Sequence, residues 1–510
     1  MKVVFVANAV ENLAIEFLSS FLKANGHEVE LVFDPMVFSN EAVGFKKLAD
    51  FFDTKKEIAL QVIEKKPDIV GFSVFTINYQ RILAVASEIK YKCNDVPIIF
   101  GGIHPTCVPE NVIKEKCVDV VCVGEGEYAF LELLKSLEFG KFRTDIKNLW
   151  FKKGKKIIKN PCRSLINDLD SLPFPDKDLF YKIYPKFITD DYSALSSRGC
   201  PFSCTYCANN VLNKIYRGLG PSVRRRSPKN MIDELVAAKK RYSPRQVTFV
   251  DDVFVQDESW LEEFARDYKK KVGIPYAAIT HPRFVTPKTA KLLSGSGCFL
   301  LMFGIQSASE EIRKTILHRY ESNKEIEEAA VNCHKNGLSF SIDHIFNIPG
   351  EGLKEYKEAV GFYNKLRPSI INSFWLQYFP KTEIIQTAVE KKAIKKSMVK
   401  KIEQGLTSTS VVVGIGNKDT FNPNLIYTNF QFMFVLLPIL PKWFMDWIIR
   451  NKFYNLPLKP PMILNVAFKF ITNIFKGRGI IYISIIKETF YFMIKNLFLK
   501  RRFKLARKEL

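Results

Sequence analysis

The side chains of this chain best suited to chemistry are three thiols, Cys200, Cys204 and Cys207, in the run Ser197-Arg198-Gly199-Cys200-Pro201-Phe202-Ser203-Cys204-Thr205-Tyr206-Cys207. Thiolates separated by three and then two residues on a short loop can converge on three corners of an iron-sulfur cube, leaving one iron without a protein ligand. An iron with an open position can bind and activate a small molecule. A structural zinc site and a disulfide staple are the alternatives. Tetrahedral zinc needs a fourth ligand, and no His or Cys follows at finger-like spacing; the next histidine is His281. A disulfide framework belongs to small secreted scaffolds, and 10 cysteines in 510 residues lack that density.

The spacing, with aromatic Tyr206 just before the last cysteine, resembles the CxxxCxxC signature of the radical S-adenosylmethionine (SAM) superfamily. The resemblance implies a 4Fe-4S cluster on Cys200, Cys204 and Cys207, with the amino and carboxylate groups of SAM on the open iron. It implies reductive cleavage of SAM to a 5′-deoxyadenosyl radical, fed by an electron donor such as flavodoxin or ferredoxin.

Such a loop needs a rigid carrier. From Tyr192 to about Phe379, β/α alternation predicts strands at 194–197, 247–250, 276–279, 299–306, 339–346 and 373–379. This fits a partial TIM-type barrel of six units, the usual core of that superfamily, where chemistry gathers at the carboxyl ends of strands. The cysteine loop follows the first strand, Asp251-Asp252 end the second, Gln306-Ser307 the fourth, and Asn347-Ile348-Pro349-Gly350-Glu351 the fifth. By resemblance, Asp251 and Asp252 stand where many relatives have Gly-Gly-Glu for the SAM amino group. Ser307 would meet the SAM carboxylate or ribose, Gln306 would replace a glutamate, and Pro349-Gly350 would bring backbone against adenine. Paired Asp at a strand end also serves as a helix cap, and Gln306 equally suits a polar core position.

The first 140 residues carry strands at 3–7, 28–33, 69–73, 98–100 and 118–123, alternating with helices near 13–23, 55–65, 79–90 and 128–137. That is the pattern of an α/β doubly wound, Rossmann-like parallel sheet, which binds ligands outside the carboxyl ends of its strands. Three loops lie there: Ser73-Val74-Phe75-Thr76, Gly101-Gly102-Ile103-His104-Pro105-Thr106 and Gly124-Glu125-Gly126-Glu127. In this order they resemble the cobalamin-binding domain that precedes the radical SAM domain in a large subgroup of the superfamily. The resemblance places Ser73, Thr76, Gly101, Gly102, His104, Gly124, Glu125 and Gly126 around cobalamin. The usual cobalamin domain carries Asp-x-His-x-x-Gly after its first strand; here the loop reads Asn8-Ala9-Val10-Glu11-Asn12-Leu13, without histidine. Cobalt would then lack a lower imidazole, or the domain no longer binds cobalamin. His104 reads as a loop residue ordering the corrinoid pocket or the domain contact.

The chain divides at the sequence level into a cobalamin-binding-like domain (1–140), a linker (141–190), the partial barrel (191–390) and a C-terminal helical region (391–510). Within the linker, 152–159 is basic and hairpin-like, and Leu172-Pro173-Phe174-Pro175-Asp176 reads as an extended connector. Cys298 and Cys333 read as packed thiols. His318-Arg319 and Arg224-Arg225-Arg226 read as facing solvent or an anion.

Net charge is +23, from 76 basic and 53 acidic residues, and from Pro441 onward 15 Lys/Arg face 3 Asp/Glu. Nucleic acid is disfavoured as partner because this tail interleaves its charge with Trp443, Phe444, Met445, Trp447, Ile448, Ile449, Phe468, Phe470, Ile474 and Phe475. Clusters at 482–486 and 490–494 are bounded by Lys487, Lys495 and Lys500-Arg501-Arg502. Such a tail suits either a helical cap on the barrel or a foot on anionic lipid that admits a lipid-like substrate. Apolar runs such as 432–437, ended by Pro438, fall short of the roughly 20 residues that span a bilayer. The start, Met1-Lys2-Val3-Val4-Phe5-Val6, reads as a strand and not a signal peptide, which predicts a cytoplasmic protein, peripheral on the membrane if the foot is real.

These readings converge on an iron-sulfur enzyme that, by resemblance, makes a 5′-deoxyadenosyl radical and uses cobalamin to methylate an unactivated carbon of a small, apolar molecule. A cyclase or oxidase using the same cofactors without net methyl transfer is the enzymatic alternative. A membrane-associated corrinoid or redox sensor is the non-enzymatic one.

Overall fold

The computed structural model describes residues 1–8, 11–36, 53–183, 190–407 and 425–455, together with 491 and 494. Short runs rich in Val, Ile and Phe, buried on both faces, form five parallel strands: β1 (Lys2–Asn8), β2 (Glu28–Asp34), β3 (Ile69–Ser73), β4 (Ile98–Gly101) and β5 (Val120–Cys122). The hairpin β6 (Leu149–Lys153) and β7 (Lys156–Lys159) adds antiparallel to β5, giving the order β2-β1-β3-β4-β5-β6-β7. The hairpin placed in the connector by sequence therefore extends the first sheet. One core, with Phe5, Leu22 and Phe130, covers one face; the other, with Val70, Ile82 and Phe100, covers the second. Strand order reverses between β1 and β3, so the loops leaving these two strands diverge and open a crevice.

The second sheet is fully parallel, in the order β15-β14-β13-β12-β11-β8. Its strands are β8 (Asp191–Ala194), β11 (Gln246–Phe249), β12 (Tyr276–Thr280), β13 (Cys298–Gln306), β14 (Ser339–Phe346) and β15 (Ile370–Trp375). Six strands in chain order, each pair bridged by helix, make the expected partial barrel. Its first and last strands start three residues earlier than expected, because β8 registers on β11 through Asp191 to Ala194, and β15 registers on β14 from Ile370. Between them lies a two-stranded antiparallel ribbon that hydropathy did not announce, β9 (Ser197–Arg198) with β10 (Arg224–Arg225).

Helices Leu425–Leu436 and Lys442–Arg450 are separated at Pro438 and Pro441, as the prolines predict. Phe430, Phe434, Leu437 and Met445 join the barrel core, so this part of the C-terminal region is a cap. The cluster expected at 482–486, most of that at 490–494 and the basic run at 500–502 lie outside the described residues. Among the described residues no helix is long and apolar enough to cross a membrane.

Candidate functional site

The three thiols lie on the loop from β9 to the helix Ala208–Ile215, with Cys207 at the helix N-cap. Gly199 enters this loop at φ +88°, and a Cβ there would run into the Ser222 carbonyl oxygen, so only glycine permits the turn. The loop is clamped from several sides. Thr205 N donates to Leu317 O at 3.1 Å, Thr205 Oγ1 to Ile316 O at 2.6 Å, and Asn210 Nδ2 to Ser203 O at 3.0 Å. Burial, helped by nearby Asp252 and Cys204, pushes the Cys200 thiol up to about 12 and the Cys207 thiol up to about 11. Three thiols on one pinned loop, within electrostatic reach of one another though not closed on a single ion, suit a thiolate-held cluster. Iron would then have to replace the protons that burial favours on Cys200 and Cys207.

The adjacent aspartates part company. Asp251 is fully buried, and its carboxylate accepts from Ser196 N at 3.1 Å, from Ser196 Oγ at 2.7 Å and from Ser197 Oγ. It ties the end of β11 to the segment entering the cysteine loop, most of its acceptor capacity being used inside the protein. Asp252 instead opens into the cavity described below. Enclosure by protein raises its carboxyl, the hydrogen bond from Asn209 opposes this, and Asp251 adds to the rise. An incoming cation would relieve that rise.

At the other strand ends, Gln306 closes β13 at φ +71° beside a register shift. Ser307 is fully buried, and its Oγ bonds Glu351 Oε1 at 2.7 Å, so its hydroxyl is engaged inside the protein. Burial pushes the Glu351 carboxyl up to about 8. Pro349 is buried, whereas Gly350 is exposed at φ +95° against Lys391. Tyr206 packs on the Leu317 and Ile384 cluster, its hydroxyl 3.5 Å from Arg319 Nη1.

Between the two sheets lies a cavity of about 360 Å³. The first sheet contributes Ser73, Gly101, Gly102, Gly124, Glu125 and Gly126, together with the apolar face Leu13, Phe17 and Leu18 of the first helix. The barrel contributes Gly199, Asn209, Tyr216 and Asp252. Gly102 sits at φ +99° with its missing Cβ only 2.8 Å from Val74 N, and Gly124 at φ +91° against the Tyr216 hydroxyl. These bare backbone positions, just past the carboxyl ends of β4 and β5, fit a large flat ligand, and no histidine is among the cavity's described lining residues.

Thr76 and His104 do not line the cavity. Both are buried; His104 Nδ1 pairs with Thr76 Oγ1 at 3.1 Å, and its ring lies 4.2 Å from that of Tyr79. Burial alone lowers its pKa to about 4, so the imidazole is neutral and shapes the loop from behind. Thr106 does line the cavity, and its Oγ1 accepts from Gly124 N at 3.0 Å, joining two glycine loops.

Glu125 has a second task. Its Oε1 meets Arg198 Nη1 at 3.1 Å and Arg224 Nη1 at 2.7 Å, while Oε2 accepts from Ile166 N at 2.9 Å. Burial opposes its ionisation, yet the two guanidinium groups hold it below its ordinary value. Glu127 takes the other arm of Arg198 at 2.6 Å. Arg224 and Arg226 are therefore buried and paired, Arg226 with Glu234, which corrects the expectation that this basic run faces solvent or an anion. Arg319 is corrected likewise, being 8% exposed and bonded to Glu321. Cys298 and Cys333 are packed thiols as expected. Asn209, two residues past the last cysteine, was within reach of the motif; Tyr216, Arg198 and Arg319 carry no signal in spacing, since folding alone brings their partners to them.

The B12 binding domain family matches residues 3–134 and the radical SAM superfamily residues 195–363. An uncharacterized methyltransferase of Pyrococcus horikoshii is 30% identical over 319 residues, 61% of this chain and 67% of the relative. The anaerobic magnesium-protoporphyrin IX monomethyl ester cyclase of Rubrivivax gelatinosus is 22% identical over 72% of this chain and 64% of its own length. The chain thus spans about two thirds of the length of these relatives. Among solved structures, the cobalamin-dependent SAM radical enzyme OxsB, with aqua-cobalamin and SAM bound, superposes with a TM-score of 0.63 over 99% of this chain and 83% of that chain at 16% identity, a likeness of fold.

Proposed function

Because the chain belongs to the radical SAM enzymes that carry an N-terminal B12-binding domain, we propose that it is a cobalamin-dependent methyltransferase acting on an unactivated carbon. The observation that carries this reading is the shared cavity: glycine loops of the first sheet and the entry to the cysteine loop line one space, so two cofactor sites would face each other across it. When bound, the cluster, SAM and cobalamin would together supply a carbon-centred radical and a transferable methyl group. The protein's own share is placement. Cys200, Cys204 and Cys207 would hold the cluster; Asp252, at the cavity and close to two of those thiols, would face the SAM ammonium; Gly101, Gly102, Gly124 and Gly126 would admit the corrin face. Asp251, Ser307, Thr76 and His104 would act from behind, by fixing these loops.

Anaerobic reconstitution with iron, sulfide and cobalamin, followed by incubation with SAM and a reductant, tests the reading. A methyltransferase yields both 5′-deoxyadenosine and S-adenosylhomocysteine, because one SAM is cleaved and another gives up its methyl. The cyclase reading, favoured by the Rubrivivax relative, yields 5′-deoxyadenosine alone. Neither product would leave the sensor reading.

The electrons would come from a small carrier such as flavodoxin or ferredoxin. The substrate would be small and apolar, in keeping with Leu13, Phe17, Leu18 and Leu212 around the cavity. Contact with anionic lipid is the finer part of the proposal. Trp443 and Trp447, one turn apart on Lys442–Arg450, are 71% and 47% exposed and are flanked by Lys442, Arg450 and Lys452. Amphipathic rings beside basic residues suit the headgroup layer. Flotation with phosphatidylserine vesicles should carry the protein in a salt-sensitive way and fail for the Trp443→Asp/Trp447→Asp double variant. Equal flotation of the two would leave the region as a cap only.

A further inference from the structure

Away from the cavity, the cysteine loop rests on a guanidinium that the proposed reaction does not yet use. Arg319 Nη1 lies 3.7 Å from Cys204 Sγ and 3.5 Å from the Tyr206 hydroxyl. Its Nη2 donates to the Gly304 carbonyl, and its Nε donates to Glu321 Oε1 at 2.7 Å. Glu321 is in turn 3.3 Å from Nε2 of His281, and Phe202 of the cysteine loop stacks on that imidazole with centroids 4.3 Å apart. The polar part of this chain is buried, Glu321 being 3% and His281 5% exposed, while Phe202 and Tyr206 are half-buried. A neutral thiol is a poor acceptor for a buried charge, whereas a thiolate bound to iron would turn the same contact into a charge-assisted one.

We infer that Arg319 is a positioning residue that sets the reduction potential of a cluster held by Cys200, Cys204 and Cys207, by fixing a positive charge and an N–H donor against Cys204 Sγ. Glu321 holds the guanidinium there and partly offsets its charge. The inference rests on the cluster reading. Reducing a cluster adds one negative charge to a water-poor site, so a fixed positive neighbour stabilises the reduced form, and hydrogen bonds to the ligating sulfur act in the same direction. Asp252, close to Cys200 and Cys207, works in the opposite sense. The loop thus lies between one stabilising and one opposing charge, and Arg319 is the stabilising one.

The test compares the wild-type chain with Arg319→Met, Arg319→Lys and Glu321→Gln after anaerobic reconstitution. Iron and sulfide are quantified, and the midpoint potential is read by electron paramagnetic resonance during titration with dithionite, without SAM. Each cluster takes one electron from the reductant and no proton. Arg319→Met should be at least ten times harder to reduce, a fall of about 59 mV for one electron. Arg319→Lys should keep most of the wild-type potential. Glu321→Gln should shift upward, because the arginine charge is no longer offset. A fully loaded Arg319→Met with unchanged potential overturns the inference, as does a Glu321→Gln shift that is absent or downward. If Arg319→Met loads no iron, the sign of the Glu321→Gln shift decides. A wild-type chain that takes up no cluster would instead sink the cluster reading itself.

Discussion

The two sheets face one cavity and build their shares of it in opposite ways. The first sheet contributes mainly by omission: glycines at 101, 102, 124 and 126 expose backbone, and the side chains that remain are largely apolar. The barrel contributes functional groups, with the Asp252 carboxylate and the Asn209 amide at the cavity wall and the three thiols on the adjoining loop, outside the cavity lining. One side recognises by shape and the other by charge and ligation. The first should therefore be sensitive to added volume, and the second to a change of a single polar atom.

The largest expected effect lies on the barrel side. Cys200→Ala, Cys204→Ala or Cys207→Ala should each abolish the iron-sulfur absorbance and all 5′-deoxyadenosine formation while leaving the thermal unfolding of the metal-free chain nearly unchanged. A variant retaining a full iron complement would break the contrast. On the shape side, Gly102→Ala should cost about 2–4 kcal/mol, from a backbone at φ +99° and a Cβ driven against Val74, and should weaken corrinoid retention. Urea unfolding and gel filtration with cobalamin measure the two effects.

The paired aspartates sharpen the comparison within one loop. Asp251→Asn should destabilise by about 2–3 kcal/mol, because its bonds to Ser196 and Ser197 are charge-assisted and buried. Asp252→Asn should change stability by less than about 0.5 kcal/mol yet weaken SAM binding roughly tenfold, as judged by calorimetry on the reconstituted protein. The reverse pattern would exchange their roles.

The seam between the halves responds to pH. Since Arg198 and Arg224 hold Glu125 below its ordinary 4.5, its stabilisation is complete above that value and is lost as pH falls through the lower folded value. Glu125→Gln should cost about 2 kcal/mol near neutrality and flatten this part of the acid-unfolding profile. An unchanged profile would show that the seam is held by other contacts.

Much of this was legible in the chain. Continuous apolar runs gave β1 to β5 within a residue or two, since parallel strands buried on both faces leave no polar alternation to confuse them. The first barrel strand was harder: Asp191 and Ser193 interrupt the run, and Asp191 is accommodated half-buried there because its carboxylate accepts from Thr248 Oγ1 at 2.9 Å. The cysteine loop and Asp252 were legible because their neighbours are local. Arg224, Arg226 and Arg319 were not, because a buried arginine is recognised only by its partners, and those lie up to 115 residues away. Thr76 and His104 belong to loops that do reach the cavity, but a loop's position does not reveal which of its side chains turn inward.

The ribbon β9–β10 carries a consequence for modularity. Arg198 and Arg224 belong by position to the barrel and by charge to the first sheet, and Arg198 stands two residues before Cys200. A chimera joined at residue 190 with a foreign N-terminal half would inherit two enclosed guanidinium groups with no carboxylate to receive them. The transplantable unit therefore extends beyond that junction to include the ribbon, and an exchange of halves would have to bring Glu125, Glu127 and the carbonyl of Ile166 along with it.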